Sequence, residues 1–223
     1  MHNTVETGLN RTGLDMAPRS KDDMVRFAHA GVTEPAATAP LAQARHEHAV
    51  EAGRIGSVPL PMRLRGLATA VTQNVNSHGA AVLIDKLGER LAFERTGVRL
   101  YEALEVKVRA ARGGPQVDPA VVARMRDDEE SHFHLLAQCL VTLGADPTAV
   151  TPCADTAGVA AMGPLQVVSD PRTTLAQALN AVLLIELGDS AGWELLVDLA
   201  QEAGHSDMAQ RFSAAQDTEA QHL

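Results

Sequence analysis

Glu129-Glu130-Ser131-His132 returns ninety residues later as Glu219-Ala220-Gln221-His222. Glu and His three apart on a helix project from one face, so each step offers a carboxylate and an imidazole together. With 14 Glu and 9 His in the chain, chance supplies about 0.6 matches to Glu-x-x-His, so one match means little. A third, Glu202 and His205, straddles Gly204 and reads as a helix end meeting solvent. The other two gain weight from their setting. Each follows a Glu on the preceding helical segment by a similar separation, 35 residues from Glu94 to Glu129 and 33 from Glu186 to Glu219.

Outward from these steps the whole pattern repeats. Glu94 falls on Glu186, Tyr101 on Trp193, Glu102 on Glu194 and Leu104 on Leu196, all at an offset of 92 residues. The chain reads as a duplicated helical hairpin. Segment A runs from about 80 to 111 and stops at Gly113-Gly114-Pro115; segment B opens at Asp118-Pro119, an N-cap followed by proline in the first turn, and ends at Gly144. Segment C opens in the same way at Asp170-Pro171 and stops at Gly204, and segment D starts at Ser206 and runs to the last residue. The A to B and C to D connections are a few residues long and force antiparallel neighbours. Between B and C, from Gly144 to Asp170, lie 27 residues rich in Pro, Gly, Thr and Ala. Extended, they reach roughly 90 Å against about 39 Å for the helices, enough to return along the bundle.

Composition agrees with an all-α chain. Hydrophobic residues make up 45% and aromatic ones 3%, and runs of β-branched residues are scarce. The 28 acidic against 19 basic residues give a net charge of -9, which repels phosphate backbones and anionic lipid and argues against nucleic acid as a partner. No stretch of 18 apolar residues and no signal-like start occur, so the expectation is a cytoplasmic protein with no membrane partner. Cys139 and Cys153 have no CxxC spacing and read as ordinary reduced thiols. Residues 1 to 60 show no sustained period and read as an N-terminal extension, partly disordered; 61 to 78 read as a short helix and linker, the helical candidate running from Leu60 to Val75.

With a Glu on A and C and Glu-x-x-His on B and D, residues 80 to 223 resemble the ferritin-like diiron family of ferritins, bacterioferritins and rubrerythrins. Tyr101, seven residues after Glu94, is similar to the tyrosine that accompanies the family's helix A, and Glu186 with Asp189 is similar to the paired helix C carboxylates of rubrerythrins. The resemblance implies a ferritin-like four-helix bundle over 79 to 223, two antiparallel hairpins joined by one long crossover. It implies two Fe ions, or two Mn ions, with Glu129 and Glu219 as bridges and Glu94, Glu186, His132 and His222 as terminal ligands. A homo-oligomer, at least a dimer, is the expected assembly.

Glu102 and Glu194 are rival ligands on A and C, or else a solvated face; Asp189 stands between ligand and surface residue, and Tyr101 and Trp193 read as core packing. Glu130 and His134 read as surface. Burial separates the readings, since six unpaired charges have to lie outside if no metal holds them. Two function classes follow. One is an oxidoreductase whose small-molecule oxidant is O2 or H2O2, of ferroxidase, peroxidase or catalase type, its metals open toward an apolar pocket. The other is a non-enzymatic bundle, a stress or scaffold protein with a structural or vacant metal site.

Overall fold

Seven helices and no strand make up the regular structure of the residues that the computed structural model describes, 18–31, 39–59 and 77–223. The chain divides into two units, residues 1–55 and 56–223. The first contains Pro18–Gly31 (α1) and Ala39–Glu51 (α2), helices inside the stretch that shows no sustained period in the sequence. The helical candidate from Leu60 to Val75 lies outside the described residues.

The second unit has five helices: Ser77–Ala110 (α3), Pro119–Thr142 (α4), Pro152–Ser169 (α5), Leu175–Glu202 (α6) and Ser206–Glu219 (α7). Segments A, B, C and D appear as α3, α4, α6 and α7. The Asp118 carboxylate caps α4 by accepting from the Ala120 amide at 2.9 Å. Both α4 and α6 stop at a glycine with positive φ, Gly144 at 81° and Gly204 at 77°. There Ala145 N donates back to Leu140 O and His205 N to Ala200 O, the Schellman closure that glycine permits.

Three sequence expectations are corrected. The connection between B and C is itself a helix, α5, so this unit has five helices where four were expected. Thr151 caps α5 and Pro152 occupies its first turn. Segment C begins at Leu175, not at Asp170, because Thr174 and Gln177 form a capping box there. Asp170 instead closes α5 and binds the Arg172 side chain at 2.6 and 2.9 Å. At α7 it is His205 that sits at the cap position, and the helix ends at Glu219, leaving Ala220 to His222 in a turn.

Helix α5 packs on α3 and α6, with Ala154, Ala161 and Val168 buried at seven-residue spacing. Asp85 of α3 fixes its start, accepting from the Cys153 amide at 2.9 Å. Gly88 leaves room for Thr151, whose Oγ1 would lie 2.5 Å from a Cβ at that position. Lys107, near the other end of α3, donates to the carbonyls of Asp170 and Thr173 at 2.8 and 2.9 Å.

The interior holds two apolar clusters. One gathers Leu83, Leu87, Leu91, Leu136, Trp193 and Phe212; the other gathers Leu100, Tyr101, Leu104, Val122, Ala178 and Val182. On α3 the first cluster ends at residue 91 and the second begins at 100, with Glu94 between them. Glu186 separates them in the same way on α6. The polar layer therefore sits between two apolar floors.

Candidate metal centre

Glu94, Glu129, Glu186 and Glu219 are each no more than 2% exposed, and His132 is 6% exposed. The His222 side chain is 4% exposed. The structure brings all six sequence-derived residues into one layer. Ligand atoms of Glu129, Glu186, Glu219 and His222 lie within 4.8 Å of one another, as do those of Glu94, His132 and Glu219. The layer thus has two lobes, one around Glu94 and His132 and one around Glu186 and His222, with Glu219 common to both. The rivals fall outside: Glu102 and Glu194 are exposed, as are Glu130 and His134. Glu202 of the third Glu-x-x-His match is exposed as well.

How these atoms face one another is informative. His132 Nδ1 lies 2.6 Å from Glu219 Oε1 and 3.8 Å from Glu94 Oε2. His222 Nδ1 lies 2.9 Å from Glu219 Oε2 and 3.4 Å from Glu186 Oε2. Yet both Nδ1 atoms, both Glu219 oxygens, Glu94 Oε2 and Glu186 Oε2 are buried without an aligned hydrogen bond. Leaving a buried carboxylate so poorly satisfied costs several kcal/mol. Close approach without alignment is what donors aimed at a shared cation look like, and carboxylate with imidazole is a divalent-metal donor set. Four carboxylates with neutral imidazoles carry a charge that two divalent ions cancel.

Around the lobes stand Asp128, Arg90 and Gly97, which the sequence reading did not select, together with Asp189, Tyr101 and Trp193, which it did. Asp128 Oδ2 lies 3.3 Å from His222 Nε2; a neutral His222 that donates there keeps the Nδ1 lone pair pointing inward. Arg90 is buried, donates to Glu94 Oε1 at 2.5 Å and pairs with Asp189, which is also buried. Ligand atoms of Asp189, Glu94, Glu129 and Glu219 form a further group within 4.8 Å, and Arg90 cancels the extra charge. Gly97 leaves space for Glu129, whose carboxylate would overlap a Cβ at 97. The Tyr101 hydroxyl donates to Glu186 Oε1 at 2.6 Å. Each histidine has an aromatic edge against it: Trp193 with ring centroids 5.1 Å from His132, and Tyr101 6.2 Å from His222.

Electrostatics of the metal-free protein follow from this crowding. Burial, with Glu94, Glu219 and Glu186 close by, holds the Glu129 carboxyl well above the usual carboxylate range. Burial raises Glu94 too, against the pull of Arg90 and His132. Burial alone would raise Glu219, but its contacts with His132 and His222 win and bring it down to about 2. Burial would likewise lower His222, but Glu186 and Glu219 outweigh it and push the imidazole up to about 10. Burial and the Glu186 charge keep the Tyr101 phenol protonated.

Fold and site together define an all-helical protein with a buried glutamate and histidine cluster able to hold a metal ion. Compared with family profiles, characterised proteins and solved structures, the chain matches none. Among the described residues, no helix is long and apolar enough to cross a membrane.

Proposed function

We propose that residues 77–223 form a ferritin-like dinuclear carboxylate protein, in which Glu94, Glu129, His132, Glu186, Glu219 and His222 hold two Fe or two Mn ions that react with O2 or a peroxide. The observation that carries this reading is the convergence of buried, unaligned ligand atoms on two lobes that share Glu219. The duplicated hairpin accounts for both lobes with one motif, and α5 is an addition along the crossover. When bound, such an ion pair supplies two electrons in one step, which is what reduction of peroxide or of O2 to peroxide requires.

The chain's own groups do the rest. Glu129 and Glu219, central in the layer, would be the ligands shared between the ions, and Glu94 with His132 and Glu186 with His222 would each hold one of them. Arg90 occupies one oxygen of Glu94, so that this carboxylate offers the other. Tyr101 holds Glu186 by one oxygen in the same way. On the His132 side the cluster of Leu87, Leu91, Leu136, Trp193 and Phe212 closes over the layer, and the low polarity there strengthens the charge interactions beneath it.

Protein purified without chelator is expected to carry about two Fe or Mn per chain, and Glu129→Ala to lose at least one. Failure to retain any metal after loading with Fe(II) or Mn(II) sinks the reading. Turnover of H2O2, or Fe(II) oxidation in air, by the loaded protein distinguishes a redox centre from a metal that only staples the two hairpins together.

A further inference from the structure

The two lobes are not walled alike. At the repeat offsets, Trp193 corresponds to Tyr101, Arg90 to Val182 and Phe212 to Val122. On the His132 side, the larger member of each pair closes the space: Trp193 packs on His132 and Phe212, and the Arg90 guanidinium lies 5.7 Å from the Trp193 ring. On the His222 side, all three positions carry the smaller residue. What remains there is a pocket of about 270 Å³ between α3, α4 and α6. Its walls are Leu104, Val122, Met125, Val182 and Leu183, and Tyr101, Glu186 and His222 also border it.

We propose that this pocket binds a small neutral apolar organic molecule and holds it against the Glu186 and His222 lobe. Size argues for an organic ligand, because a dry apolar cavity of about 150 Å³ already accepts benzene, and neither O2 nor peroxide needs more room than that. Lining argues for a neutral one: among the described residues no Lys or Arg borders the pocket, and the His222 imidazole already faces the Glu186 carboxylate at 3.4 Å, which leaves no uncompensated positive charge to hold an anion. Entry is possible at the rim, where Val121 is 38% and Leu183 45% exposed. The place beside the metals rests on the function proposed above, whereas the capacity to bind does not.

Fluorobenzene titrated into the full chain, as purified and after chelation, tests this by 19F NMR. Saturable binding is expected in both samples, at least tenfold weaker in Val182→Trp and in the rim variant Leu183→Trp. It is expected unchanged in Leu184→Trp, whose side chain is 61% exposed and outside the lining. Benzoate is expected not to compete. Uptake that never saturates, equal binding by both pocket variants, or competition by benzoate as strong as by benzene overturns the proposal. Metal content measured on the same samples scores the metal centre separately. In protein shown to hold Mn(II), bound fluorobenzene is expected to relax much faster than in the chelated protein, and equal relaxation overturns its placement beside the lobe.

Discussion

Gly97 and Asp189 stand at equivalent places in the duplicated hairpin, and the difference between them sets the chemistry of the layer. Gly97 carries no side chain because the Glu129 carboxylate fills that space. Asp189 brings in one more carboxylate, which Arg90 neutralises from across the bundle; Gly192 in turn makes room for Arg90, whose Nη1 would lie 2.6 Å from a Cβ there. On propensity alone Gly97→Ala would stabilise α3 by about 1 kcal/mol. Here displacement of Glu129 outweighs that gain, so Gly97→Ala is expected to keep its helix content while losing at least tenfold in metal affinity, measured by retention after dialysis. A variant that is more stable and still holds two ions would show that Gly97 does not position Glu129. The six ligand candidates could be named from the sequence because Glu-x-x-His is a local spacing and the repeat pairs each copy with a Glu on the preceding helix, although His222 itself lies in the turn after α7. Asp128, Arg90 and Gly97 could not be, since each acts on a residue that it meets only through packing, save Arg90 with Glu94 one turn away.

Helix α5 marks the limit of reading elements from periodicity. Its sequence Pro152–Ser169 carries Pro164 and two glycines and alternates no polar face with an apolar one. Only the spacing of Ala154, Ala161 and Val168 betrays the buried edge, and small residues barely register as a hydrophobic stripe. The start of α6 was misplaced for a related reason, because Asp170-Pro171 and Thr174 with Gln177 are both plausible starts and only the capping box is used. Helices α3, α4 and α7 are legible to within about three residues at their N-termini, since cap, proline and glycine act locally, whereas α1 and α2 lie in the stretch read as an extension. At this scale the anchor of α5 is the exposed test. Asp85 accepts from the Cys153 amide, and that bond with its Thr151 contact keeps the carboxyl below its usual range despite burial. Removing a capping acceptor costs about 1 kcal/mol, so Asp85→Ala is expected to lower stability by about that much in urea unfolding with metal content unchanged. Loss of metal in this variant would show that α5 supports the centre directly.

For the molecule as a whole, metal uptake by the proposed centre is expected to be coupled to protons. At pH 7 the metal-free protein keeps a proton on His222, pushed up to about 10, and Glu129 is raised well above its usual value of 4.5. The His222 proton has to leave before its Nδ1 can ligate, and the raised Glu129 carboxyl acts in the same direction, so uptake is expected to release protons and affinity to rise with pH through the neutral range. Titration calorimetry at pH 7 in two buffers of different ionisation enthalpy is expected to give different heats, equivalent to at least one proton per chain; identical heats would refute the coupling. For the metal-free fold the sign differs between the two partners. The raised His222 contributes stability that is complete below about pH 6.5 and fades as the pH climbs toward 10. Glu219, held down to about 2, contributes above about pH 4.5 and loses that contribution on acidification.

The chain contains one tryptophan and one tyrosine, and each lies edge-on to a different histidine of the layer. The two lobes are therefore labelled by separate natural chromophores, indole for the His132 side and phenol for the His222 side. Ultraviolet difference spectra and emission during a metal titration report which lobe fills first and whether the second follows at once, with no probe attached and no residue changed.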